Sequence, residues 1–333
     1  MALELTEGRV KLVLDETVGR FGIQFREDLS STRFVSLLFD QDPRTSYLTV
    51  VEGNRVHRMG DATGFRLETT RTDAGAQFEW RSPTLEVIQE FRFVRSPAAS
   101  VTDAIAVELT IRNTSQRPVA VGARYLFDTH LGEPSNIHFT APGFERINRE
   151  TELSADSTVW YWRSPARASG DLGFQHYVFG PGITPPDRIV FANWKRLHDQ
   201  PWDFTVNPSR NFNLLPYSVN DSAAAVYYDV SILNPSEARE IVTVLGNSAT
   251  EMIALTDRPH GPNLEAVLRT IGAARTPGLS RLDAAREELL RTDELLRQID
   301  YFLASDDELS DSVIDVIQSA VEQLERRSSE LAR

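Results

Sequence analysis

Three residues near the middle of the chain carry side chains that bind metals or move protons, at a spacing that lets them meet. They lie in Tyr125-Leu126-Phe127-Asp128-Thr129-His130-Leu131-Gly132-Glu133. On an extended strand Asp128 and His130 project to the same side. Gly132 permits a turn that returns Glu133 towards them. A carboxylate, an imidazole and a second carboxylate converging in this way hold a divalent cation, or pass protons with His130 and Glu133 as the acid–base pair. The plainer alternative is a strand end whose polar residues face solvent, with Asp128 closing a turn. A divalent metal on Asp128, His130 and Glu133 is the one cofactor these residues suggest, and nothing points to an organic one.

Aromatic residues form the second constellation. Four of the five Trp, namely Trp160, Trp162, Trp194 and Trp202, fall within 43 positions of one another, amid Tyr161, Phe174, His176, Tyr177, Phe179, Phe191 and Phe204. Trp160 and Trp162 would share one face of a strand. Sugar rings stack on aromatic platforms beside polar groups, so these four Trp are candidate ligand contacts. The competing expectation is that they fill the core of a large β domain.

Other chemistries are excluded by what is missing. The 333 residues contain no Cys, which removes disulfides, thiolate metal sites and cysteine nucleophiles. A net charge of −13 argues against a nucleic-acid surface. There is no nucleophile elbow, phosphate-binding loop, dinucleotide fingerprint, zinc-protease helix or EF-hand loop. No apolar run is long enough to span a bilayer. The start, Met1-Ala2-Leu3-Glu4-Leu5, lacks the basic and apolar regions of a signal peptide. The default expectation is a cytoplasmic protein, or a periplasmic one if the sequence is a trimmed mature form.

What must position these residues is a set of strands. Leu85, Val87, Phe91 and Phe93 alternate with polar neighbours, as do Ile105, Val107, Leu109 and Ile111, then Val121, Ala123, Tyr125 and Phe127. A period of two marks half-buried antiparallel strands. A hairpin is expected at Thr72-Asp73-Ala74-Gly75, with Gly75 in a left-handed position. About fourteen strands follow one another with no helical pattern between them, which excludes alternating βαβ architecture.

The period changes after Pro259-His260-Gly261-Pro262. Leu282, Ala285, Leu289, Thr292, Leu296, Ile299 and Leu303 form one helical stripe, and Ile314, Ile317, Val321, Leu324, Ser328 and Leu331 a second. Glu322 and Arg326 are among the i,i+4 pairs that support these helices. The expected fold is therefore mainly β, a large antiparallel β-sandwich over residues 1–258 followed by an α-helical hairpin over 259–333. Apolar residues beside the stripes (Leu290, Leu295, Tyr301, Phe302, Val313, Val316) widen the apolar arc, so residues 262–333 need a further surface, either the β domain or a protein partner or second copy.

The text Val107-Glu108-Leu109-Thr110-Ile111-Arg112-Asn113-Thr114-Ser115 through Val121-Gly122-Ala123-Arg124-Tyr125-Leu126-Phe127 resembles the central hairpin of galactose-mutarotase-like supersandwich domains. Asp187 to Trp194 and Asp221 to Tyr228 resemble uncharacterised bacterial sandwich proteins sharing the pattern of Leu126-Phe127-Asp128-Thr129 with Leu131-Gly132. The resemblance implies the fold over roughly residues 5–250. It also implies a sugar cleft served by a His acid and a late Glu base. His130 lies near the right place, but Asp128-Thr129 departs from the mutarotase pattern and Glu251 lacks the motif of the base.

The missing catalytic motifs and the surplus helical stripe together favour a non-catalytic binding or assembly module acting through residues 262–333. The rival is a carbohydrate-active enzyme or glycan-binding domain using His130, Glu133 and the Trp cluster. Neither reading involves nucleic acid or a membrane span.

Overall fold

A computed structural model describes residues 2–27, 32–40, 45–72, 74–94, 96, 102–154, 159–166, 172–247 and 255, together with helical positions 318, 321, 322, 325, 326 and 329. The chain divides into two compact units, Met1–Ala155 with Trp160–Ala254, and Asp156–Val159 with Leu255–Arg333. The two stripes expected to form the helical hairpin lie outside the described residues, apart from a few positions. At those, Arg326, expected on the Glu322 carboxylate, donates from Nε to the Glu322 carbonyl oxygen at 3.2 Å.

Among the described residues the first unit holds nineteen strands and one short helix. In chain order the strands are β1 (Ala2–Glu7), β2 (Val10–Asp15), β3 (Arg20–Phe25), β4 (Val35–Ser36), β5 (Tyr47–Glu52), β6 (Arg55–Arg58), β7 (Arg66–Thr72), β8 (Gly75–Arg81) and β9 (Leu85–Val94). There follow β10 (Ala104–Asn113), β11 (Val119–Thr129), β12 (Phe139–Ala141), β13 (Phe144–Ile147), β14 (Thr151–Ser154), β15 (Tyr161–Pro165), β16 (Gly173–Tyr177) and β17 (Arg188–Asn193). Helix α1 (Trp194–Asp199), β18 (Ser222–Leu233) and β19 (Ala238–Asn247) complete the set. Strands β1 to β4 form a four-stranded sheet in sequence order. A nine-stranded sheet runs β13-β12-β15-β16-β19-β10-β9-β8-β7, and a six-stranded sheet runs β14-β17-β18-β11-β5-β6. Every pairing is antiparallel.

Alternation divides β11 between two layers. Tyr125, Phe127 and Thr129 face the nine-stranded sheet, where the Phe127 ring lies 5.5 Å from Phe174 and 5.2 Å from His176. Leu126 belongs to the opposite, outer cluster with Tyr47, Val190, Ala192, Ala223, Ala225 and Tyr227. Arg124 and Asp128, two residues to either side of Leu126, take the same outer side.

That outer face is not left to water. Leu197 and Phe204, with the half-buried Trp194, Trp202 and Val206, cover it. Burying a side chain such as Leu197 or Phe204 contributes roughly 1.5–3 kcal/mol. The half-buried strands expected from the sequence are thus buried on both sides in most of β11, in β17 and over Ser222 to Tyr228 of β18, and the unbroken run Ala223 to Tyr228 is the sequence counterpart.

Helix α1 was not expected, and six residues are too few to stand alone. Its ends are held from outside. The Asn193 side chain caps its start by accepting from Arg196 N. At its end Arg124 donates to the carbonyls of Leu197 and Pro201, at 3.0 and 3.1 Å, and Arg58 donates to that of His198 at 2.5 Å. The Arg196 guanidinium pairs with the buried Glu150 carboxylate.

The hairpin at Gly75 forms as expected, for a different reason. Gly75 is nearly extended, and what excludes a side chain is the Phe91 carbonyl oxygen, 2.0 Å from where its Cβ would stand.

Candidate functional site

Asp128 occupies the penultimate position of β11, on the outer face of the six-stranded sheet and 6% exposed. Burial pushes its carboxyl up to about 8, helped by Asp221 and Glu133 nearby and opposed by the neighbouring Thr45 side chain. Glu133 is returned by the turn in which its N–H donates to the His130 carbonyl. Its carboxylate accepts from Ser222 N at 2.9 Å, tying it to the first residue of β18. Burial pushes Glu133 up to about 7, and Asp221 adds to this. Asp221, also raised by burial, completes a group of three carboxyls that share the end of β11 and β18.

His130 does not join them. Strand β11 stops at Thr129, so the alternation that would have put His130 beside Asp128 ends one residue early. The imidazole lies instead edge-on to Phe39, with ring centres 6.1 Å apart, and the charge acting on it is that of Asp40. Among the described residues no three His, Asp or Glu side chains are placed to hold a metal ion. The expected metal set of Asp128, His130 and Glu133 is therefore corrected to a pair, Asp128 and Glu133, with Asp221 as its neighbour.

The four Trp separate by environment. Trp162 is fully buried between the sheets, against Phe127, Phe139, Phe174 and Phe191, and its Nε1 donates to His176 Nδ1 at 3.0 Å. It fills the core and offers no platform. Trp160 precedes β15 rather than sharing a face with Trp162 in it, and packs on Tyr161 and Tyr177. Trp202 lies across Tyr227 and over Gly122, where a Cβ would come within 2.7 Å of the indole.

Trp194 alone joins the carboxyl group to a second polar cluster. Its Nε1 donates to the Thr45 carbonyl at 3.2 Å, on the residue whose side chain neighbours Asp128. Its ring stacks on His198, with centres 4.7 Å apart and planes 21° apart. His198 in turn contacts the Tyr47 hydroxyl through Nδ1 at 2.8 Å and Arg58 through Nε2 at 3.2 Å. Arg20 lies over the Tyr47 ring at 4.9 Å and pairs with Asp61 at 2.6 Å. Burial raises Tyr47, against the pull of Arg124, Arg58 and Arg20. Burial lowers His198, and Arg58 lowers it further. The result is one line of groups, Asp128, Thr45, Trp194, His198, Arg58 and Tyr47.

Sequence reasoning missed Tyr47, Arg58, His198 and Asp221. The available signal was Asn193 as a helix cap with Trp194 and His198 four apart, which puts both rings on one helical face.

No family model matches the chain, and no curated protein matches it. Its structure is similar to that of a galactose mutarotase related enzyme from Lactobacillus acidophilus, at 10% identity over 76% of this chain and 99% of that one, with a TM-score of 0.46. It is similar to a galactose mutarotase-like protein from Lactobacillus casei ATCC 334, at 8% identity over 74% and 100%, with a TM-score of 0.47. It is also similar to a polysaccharide lyase, at 12% identity over 72% of this chain and 32% of that one, with a TM-score of 0.43. These likenesses concern the fold alone and assign no activity.

Proposed function

We propose that this chain is a carbohydrate-active protein in which Asp128 and Glu133 exchange protons with a sugar bound beside Trp194. The observation that carries the reading is the double role of Thr45. Its carbonyl holds the indole, and its side chain lies beside a carboxyl that burial keeps protonated near neutral pH. An aromatic face and the acid of the pair thereby meet at one residue, while Glu133, the base, is held by Ser222.

Two carboxyls whose surroundings set them near neutrality at different values can take complementary roles. In opening a cyclic hemiacetal, Glu133 takes the proton of the anomeric hydroxyl while Asp128 gives its own to the ring oxygen. The bond from the anomeric carbon to the ring oxygen breaks as the carbonyl forms. Closure on the other face reverses both transfers and releases the other anomer. Each positioned proton transfer is worth about 10²–10⁴ in rate.

Polarimetry on a panel of aldohexoses tests this. Wild type accelerates anomer exchange for at least one sugar, Asp128→Asn and Glu133→Gln lose the acceleration by about 10²–10⁴, and His130→Ala keeps it. No acceleration by wild type on any sugar, with no sugar-dependent fluorescence that Trp194→Phe removes, overturns the reading. Fluorescence without turnover reduces it to a glycan-binding domain.

A second reading, assembly through residues 262–333, is favoured by one observation. Val321, a member of the second apolar stripe, is 36% exposed on its helix. Deleting 262–333 then shifts the sedimentation coefficient to that of a smaller assembly. A deletion that sediments as the same oligomer as the full chain would refute assembly through this segment.

A further inference from the structure

The cluster around Tyr47 and His198 is inverted in charge relative to the chain. Arg20, Arg58 and Arg124 act on Tyr47 and Lys195 acts on His198, against the acids Asp61 and Asp199. Four cations facing two carboxylates stand out in a protein of net charge −13. Only Arg20 and Lys195 are paired with these acids, Arg20 to Asp61 at 2.6 Å and Lys195 to Asp199 at 2.8 Å. Arg124 and Arg58 spend their hydrogen bonds on uncharged partners, the carbonyls that end α1 and the His198 ring.

The hydrogen-bond roles add a second observation. Arginine only donates, so His198 Nε2, 3.2 Å from Arg58, must accept. A neutral imidazole then carries its proton on Nδ1 and donates it to the Tyr47 oxygen. The hydroxyl hydrogen of Tyr47 is left for some other acceptor. Guanidinium and hydroxyl border this point with donors and the Trp194 indole with an aromatic face, and the excess positive charge sits at the half-buried Arg58, beside the neutral His198.

Resting on the function proposed above, we infer that the saccharide taken here is acidic, with its carboxylate directed to the Arg58–His198 edge and its ring against Trp194. A carboxylate presents only acceptors and matches the planar fork of a guanidinium. Neutral sugars leave the charge unanswered.

Isothermal titration of the full chain with galacturonate and glucuronate, against galactose and glucose, tests the inference. At least one uronate binds about ten-fold more tightly than its neutral counterpart, and the preference shrinks as salt rises. Arg58→Gln brings uronate affinity down to that of the neutral sugar. Arg58 also holds α1, so a second variant with an effect of opposite sign guards against mere damage. Asp61→Asn removes a competing carboxylate from Arg20 and tightens uronate binding several-fold, whereas local unfolding would weaken it. Neutral sugars bound as well as uronates would overturn this inference and leave the proposed function standing. No binding of any of the four sugars would overturn both.

Discussion

Replacing Arg124 with alanine is expected to lower the unfolding free energy by about 3–5 kcal/mol, since it removes two hydrogen bonds from a charged donor, each worth roughly 1.5–3 kcal/mol. Arg124 is fully buried on the outer face of the six-stranded sheet. Two of its nitrogens carry the Leu197 and Pro201 carbonyls, and its guanidinium lies over the Tyr227 ring at 5.3 Å. Alanine removes the donors, leaves two carbonyls to find new partners, and opens a void beneath α1. Arg124→Lys should recover little, because one ammonium cannot reproduce a planar fork that reaches two carbonyls at once. Urea denaturation measures both, and a loss below about 1 kcal/mol for Arg124→Ala would show that α1 is held by its apolar residues alone. The same variant should expose Trp194 and Trp202, which ride on this segment, and redden their emission.

What the sequence made legible divides along the range of the interactions. Strands β9, β10 and β11 could be read from alternation, because each residue's side of a sheet follows from its own position. Even there the interior is more polar than expected, since Gln89 is buried in phase with Val87 and Phe91 while Phe93 is half-buried. Helix α1 escaped because a single turn and a half has no period to detect, and its stability comes from Arg124 and Arg58 in remote strands. Asp128 and Glu133 were found because five residues and a glycine turn separate them. Tyr47 and Arg58 were not, because they reach His198 across 151 and 140 residues. The error over His130 has a local cause, the strand ending one residue before it. The error over Trp162 came from composition, which cannot distinguish a ring between two sheets from one on a platform.

Asp128→Asn is expected to stabilise the protein at alkaline pH by several kcal/mol while abolishing the anomer exchange proposed above. The folded state holds the Asp128 proton up to about pH 8, whereas the unfolded chain releases it near its ordinary value of 3.8. Between those limits the folded state binds more protons, so stability falls as pH rises, by about 1.4 kcal/mol per pH unit where the difference is one full proton. Glu133, held up to about 7, acts with the same sign over a narrower window. The buried imidazoles of His176, lowered to about 3, and His138, lowered to about 4, act with the opposite sign. Their contribution is present above about pH 6.5 and is lost as the pH falls towards those values. The two trends offset each other in mildly acidic solution, so the wild-type melting temperature should be nearly level there, fall below about pH 4, and fall again from pH 6.5 to 8. Asparagine has no proton to lose, and Asp128→Asn should flatten the alkaline limb while matching wild type at pH 4. A variant less stable than wild type at pH 8 would sink the assignment, since it would mean that Asp128 is stabilising as a carboxylate. If the flattened limb and the lost anomer exchange appear together, Asp128 weakens the fold at the pH where it works. That joint outcome would explain the buried carboxyl by proton transfer rather than by the sheet it sits on.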